Sequence, residues 1–125
     1  MSSQMRAVVV DAPGPVEVLR VRRLPIPVPE PGWVLIRVKA FGLNRSELFT
    51  RRGYSGDAVT FPRVLGIEAA GVVAEAPGGE FTLGQQVVTL MGGMGRRFDG
   101  GYAEYTCVPA GQVIPFESDL PWAVI

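Results

Sequence analysis

Phe61-Pro62-Arg63-Val64-Leu65-Gly66-Ile67-Glu68-Ala69-Ala70-Gly71-Val72-Val73 is the stretch on which the fold turns. Val72 and Val73 are β-rich, and the span 66–76 reads as a strand interrupted by glycine, which weakens a strand and marks close backbone approach. Glu68 lies between Gly66 and Gly71. An acidic side chain in such a strand either points to solvent or is paired if buried. Downstream, Pro77-Gly78-Gly79-Glu80 makes a turn; upstream, 54–63 reads as a loop.

Moving outward, residues 33–41 give the clearest strand. Val34, Ile36, Val38 and Ala40 alternate with Arg37 and Lys39, the period-two pattern of a half-buried strand. Residues 7–10 start a β-branched run that ends at Asp11-Ala12-Pro13-Gly14-Pro15, and 16–24 forms a further extended segment. Pro25, Pro27, Pro29 and Pro31 then suit an edge or a connection. Residues 87–91 and 102–108 are two more strands, separated by the glycine-rich stretch 92–101, expected to be a flexible hairpin or flap. One helix is expected between Asn44 and Gly53: Asn44 can cap its N-terminus, Glu47 stands three residues on in capping-box position, and Gly53 can end it. Leu48 is expected to face inward. Short strands at this spacing argue a small, mainly β barrel or sandwich.

At 125 residues and 13.4 kDa the chain is one domain's worth. Hydrophobic residues make up 47% and charged residues 19%, with twelve basic side chains balancing twelve acidic ones, which argues against disorder and against a polybasic nucleic-acid surface. There is no histidine, the commonest general base and metal ligand. Cys107 is the only cysteine, so no internal disulfide forms and no cysteine zinc site can be built. No targeting segment and no apolar run of membrane-spanning length is present, so the expected location is intracellular and cytoplasmic, without membrane partners.

Patterns that cradle phosphate or activate serine fail. Gly93-Met94-Gly95-Arg96-Arg97-Phe98 holds two of the three glycines of a dinucleotide fingerprint and opens no helix. No phosphate-binding loop with its lysine and no nucleophile elbow occurs, and a serine triad lacks its histidine.

Five ordered blocks do carry a resemblance: 40–48, Arg51-Arg52-Gly53, 61–73, Gly84-Gln85-Gln86-Val87, and Gly100-Gly101-Tyr102-Ala103-Glu104-Tyr105. Together they resemble the N-terminal catalytic domain of medium-chain dehydrogenases/reductases, most of all the zinc-independent, quinone oxidoreductase-like branch. The resemblance implies a GroES-like, partly open β-barrel over 1–125 with one or two short helices, forming one wall of an active-site cleft. The other wall, a Rossmann domain, is absent from these residues, so the expectation is a truncated chain or a fragment of a larger gene, inactive alone. Zinc-dependent members carry a cysteine ligand at the position of Asn44 and a histidine ligand at that of Ile67. These replacements remove the metal sites, since tetrahedral zinc needs nitrogen, sulfur or oxygen donors that asparagine with isoleucine does not supply.

Chemistry is then expected from a reduced nicotinamide, NADPH or NADH, delivering hydride to a quinone or an activated alkene or carbonyl. The resemblance places Asn44, Glu47 and Glu68 on the cofactor side of the cleft, with Asn44 and Glu47 also able to act simply as helix caps and Glu68 as a surface or paired acid. Tyr54 stands where some enoyl-thioester reductases of the superfamily carry a catalytic tyrosine, a phenol able to donate a proton to a developing enolate, or it merely packs. Arg51, Arg52, Arg96 and Arg97 are surface pairs or contacts to an anion, and Phe49, Phe61 and Phe98 core residues or pocket lining. The resemblance implies a homodimer for the full enzyme. The alternatives are an enoyl-thioester reductase domain and a stand-alone GroES-like binding module that docks through 92–101.

Overall fold

The computed structural model describes residues 3–56 and 59–125. Two antiparallel sheets make the frame. The first holds β1 (Gln4–Val10) between β2 (Arg20–Pro25) and the two-residue β4 (Arg63–Val64). The second runs β7-β3-β5-β6-β8, with β3 at Trp33–Ala40, β5 at Glu68–Glu75, β6 at Gln86–Leu90, β7 at Tyr105–Pro109 and β8 at Val113–Pro115. They curl into a partly open barrel, joined where the Val8 N–H donates to the Tyr102 carbonyl at 2.8 Å and Ala7 bridges Ala103. Among the described residues no helix is long and apolar enough to cross a membrane.

Alternation builds the core as expected. Val34 and Ile36 of β3 are fully buried, and Ala69, Val73, Val87, Val108 and Val113 pack with them. Leu35, on the opposite face, is buried as well, beside Ile26, Pro27 and Val28 of the proline-rich connection. A second cluster of Met5, Ala7, Val9 and Val64 fills the first sheet's inner face.

Several boundaries differ from the sequence reading. The extended segment 16–24 is a 3-10 turn at Val16–Val18 followed by β2, which places the break where Leu19 donates back to Val16 at 3.1 Å. The strand expected from 102 begins at Tyr105, because Gly101, Tyr102 and Ala103 are bound instead to the 65–66 backbone and to each other. Within the loop 54–63, Arg63 already pairs in β4, while Asp57 and Ala58 lie outside the described residues.

The glycine-rich stretch 92–101 is not a flap. Its Met94 is 1% exposed and belongs to the main core cluster, and Phe98 packs edge-on against Trp33 at 5.3 Å between ring centres. Gly100 donates to the Val64 carbonyl at 2.8 Å, Tyr102 donates to Leu65 at 3.0 Å, and Asp99 accepts from the Val64 N–H at 3.0 Å. A Cβ at Gly100 would collide with the Gly66 and Leu65 carbonyls. Here glycine serves close backbone packing, and flexibility is not its role.

Candidate functional site

A helix of two turns, α1 (Arg45–Arg52), carries Glu47 and is capped by Asn44. Asn44 stands at its N-cap in extended conformation, and its backbone N–H donates to Glu47 Oε1 at 2.7 Å, the carboxylate half of a capping box. Gly53 ends the helix in the left-handed region at φ 87°, with its N–H on the Thr50 carbonyl. The limits are those expected; the facing is not. Leu48 is 44% exposed, while Glu47, Thr50 and Arg51 are the buried residues. Each buried side chain has a polar reason to turn in. The Thr50 hydroxyl reaches the Ser46 carbonyl and Ser55, and Arg51 Nε donates to the Gly14 carbonyl at 3.2 Å. Arg51 is therefore no solvated surface residue, although its neighbour Arg52 is exposed.

Glu47, 5% exposed, has a second donor on the same oxygen: Tyr102 Oη donates to Oε1 at 2.7 Å. Burial, followed by the Glu47 carboxylate, holds the Tyr102 phenol well above the ordinary tyrosine value, so it stays protonated as the donor. From the packed loop, Arg96 Nη2 donates to Ser46 Oγ at 2.7 Å. Three buried atoms around this first turn have no hydrogen-bond partner among the described residues: Asn44 Nδ2, Glu47 Oε2 and Arg96 Nε. Sequence reasoning missed Tyr102 as part of this group. Its signal was present only as a block adjoining Gly100 and Gly101.

Beside this turn opens a cleft of about 490 Å³, walled by the end of β3 and Phe41, by β5 and β6, and by Trp122 and Ile125. Among the described residues Glu68 is its one charged lining side chain, half-buried, and its carboxylate occupies the space a side chain on Gly42 would fill. Phe41 connects cleft and turn, since its ring lies 4.8 Å from that of Tyr102. Tyr54 lies past the helix end, 73% exposed, with its ring 6.3 Å from Phe49. The structure thus brings Asn44 and Glu47 together, sets Glu68 in the adjoining cleft, and leaves Tyr54 apart on the surface. Of the phenylalanines, Phe98 is half-buried against the core and lines a separate pocket, Phe49 is 46% exposed and Phe61 half-buried; none of the three lines the cleft. Among the described residues no group of three or more His, Cys, Asp or Glu side chains is gathered as for a metal ion.

Residues 30–118 match the family model described as "Alcohol dehydrogenase GroES-like domain". The "Synaptic vesicle membrane protein VAT-1 homolog-like" of Mus musculus is 32% identical over 98% of this chain and 28% of its own length. The "Quinone oxidoreductase" of Homo sapiens is 38% identical over 81% of this chain and 30% of its own length. Among solved structures, the quinone oxidoreductase from Coxiella burnetii superposes with a TM-score of 0.85 at 28% identity, covering 96% of this chain and 39% of that one. The chain spans less than a third of the curated relatives it matches.

Proposed function

Because the chain belongs to the alcohol dehydrogenase GroES-like domain family and is similar to quinone oxidoreductases, we propose that it is the substrate-side domain of a zinc-independent, NAD(P)H-dependent reductase of quinones or activated carbonyls. The observation that carries this reading is the apolar cleft with Glu68 as its one charged side chain among the described residues, opening beside the turn that holds Asn44. When bound, a reduced nicotinamide supplies the hydride. The residues fit such a group: Asn44 Nδ2 is a buried donor without a partner among the described residues, able to hold a ribose or carboxamide oxygen, and Glu68 can accept from a hydroxyl at the cleft. Phe41 and Trp122 supply aromatic surface to the cleft wall. Tetrahedral zinc does not fit, since Ile67 offers no donor and Asn44 a weak one. Cytoplasmic location and a homodimeric full enzyme belong to the same reading.

The test is NADPH consumption with a 1,4-benzoquinone by the full-length protein containing this chain. We expect turnover that survives chelators, and an Asn44→Ala variant whose KM for the nicotinamide rises about tenfold, the order of one lost hydrogen bond. Turnover abolished by a chelator and restored by zinc overturns the zinc-independent part; no reduction of any quinone overturns the substrate class. A second reading, enoyl-thioester reduction, requires the exposed Tyr54 phenol, which does not line the cleft, to reach the substrate and donate a proton to an enolate. It requires crotonyl-thioester reduction that falls in Tyr54→Phe.

A further inference from the structure

Glu47 Oε1 takes two hydrogen bonds of 2.7 Å from two distant parts of the chain: the Asn44 backbone, which begins α1, and the Tyr102 phenol, which follows the packed loop 92–101. The Tyr102 ring is fixed in turn. It packs on Phe41, its N–H donates to Leu65, and a side chain on Gly66 would stand 2.9 Å from its Cδ1. Since a carboxylate with both donors in place cannot rotate without leaving a buried charge short of partners, the rotamer of Glu47 and the entry of α1 are set from the sheet side. The unpartnered Asn44 Nδ2 and Glu47 Oε2 are then held in one orientation, as a donor and an acceptor that the described residues do not use.

We infer that Tyr102 is a positioning residue that acts through Glu47, locking the first turn of α1 so that Asn44 presents its side chain to the hydroxyl-rich ribose end of a nicotinamide nucleotide. The inference rests on the nicotinamide reading above and adds to it a residue outside the helix. Phe41, which touches Tyr102 and walls the cleft, makes the lock continuous with the substrate side.

The experiment uses the full-length protein, with Tyr102→Phe, Glu47→Ala and the double variant. NADPH affinity is read by quenching of intrinsic fluorescence, and hydrogen exchange is followed in the peptide 42–50. We expect Tyr102→Phe to weaken NADPH about tenfold, to raise KM for NADPH while kcat at saturation stays within about threefold, and to speed exchange in 42–50 without speeding it in β3 and β5. The double variant should be no worse than Glu47→Ala alone, because alanine removes the oxygen on which Tyr102 acts. Unchanged NADPH affinity in Tyr102→Phe, or effects of the two substitutions that add in full, overturns the assignment. If the unaltered protein binds no nicotinamide, the nicotinamide reading fails, and this role of Tyr102 with it. In that event the exchange data still separate the two failures: faster exchange in 42–50 shows a real lock serving no cofactor, and unchanged exchange shows that no lock exists.

Discussion

Along β3 the side chains that leave water are Val34, Leu35 and Ile36, whereas along α1 they are Glu47, Thr50 and Arg51, with Leu48 and Phe49 left 44% and 46% exposed. The strand is held by transfer of apolar surface, a non-directional force of about 1.5–3 kcal/mol for each fully buried side chain. The helix is held by hydrogen bonds of fixed direction: the Tyr102 hydroxyl donates to Glu47 and Arg51 Nε to the Gly14 carbonyl, while the Thr50 hydroxyl bonds Ser55 and, within the helix, donates to the Ser46 carbonyl. Apolar packing tolerates small adjustments of a side chain, while a buried carboxylate does not tolerate the loss of its donors. A helix anchored through its polar face is therefore placed more exactingly than its eight residues would suggest, and its apolar side chains contribute little to this domain's own stability. That is the arrangement expected where a turn must present chemistry and cannot merely cover a core.

The contrast predicts opposite responses to the same kind of truncation. Ile36→Ala should cost about 2–5 kcal/mol, the range for emptying a fully buried aliphatic site. Leu48→Ala should stay within about 0.5 kcal/mol, as for surface positions. Urea denaturation of both variants checks it. Equal losses would break the comparison by showing that α1 is seated through Leu48 after all.

How much of this was legible follows from where the partners lie in the chain. The register of β3 is written in consecutive residues, Val34 against Arg37 and Lys39, and the limits of α1 in Asn44, Glu47 and Gly53, all within one short segment. The facing of α1 was not legible, because the donor that draws Glu47 inward is 55 residues away at Tyr102. A local pattern reads Leu48 as the inward residue since it sees only hydrophobicity. Stretch 92–101 failed for a related reason: glycine reads as freedom when the Leu65 and Gly66 carbonyls it must clear are out of view. The short β4 and β8, two and three residues long, carry no periodicity to detect. The barrel itself, with Glu68 beside the cleft, came from the resemblance of five ordered blocks, each insufficient alone.

A smaller effect sharpens the helical side of the comparison. Glu47→Ala removes the acceptor for both the Asn44 N–H and the Tyr102 hydroxyl, leaving two donors short of a partner, and should cost about 1–3 kcal/mol. Glu47→Gln keeps a side-chain oxygen for the same two donors and should lose less. A loss in Glu47→Gln as large as in Glu47→Ala would mean that the full charge, more than the geometry, seats the helix.

The smallest effect separates the two regions by pH. Cys107, in β7 of the sheet, has its thiol pushed up from near 9 to about 11 by burial and then by the Glu75 carboxylate. Tyr102, at the helical corner, is raised above its ordinary value near 10 by burial and then by Glu47. Both groups hold their proton more tightly folded than unfolded. Their contribution to stability is therefore complete below the unfolded pKa and is lost as pH rises toward the folded one. Thermal melting should be level to about pH 9, decline first through Cys107 and then, above pH 10, through Tyr102 as well. Cys107→Ala should flatten only the earlier part and Tyr102→Phe only the later, each by about a degree or two in Tm relative to its own value at pH 8. An alkaline decline unchanged in Tyr102→Phe would mean that the phenol is not desolvated against Glu47, and the polar anchoring of α1 would lose its strongest link to the sheet.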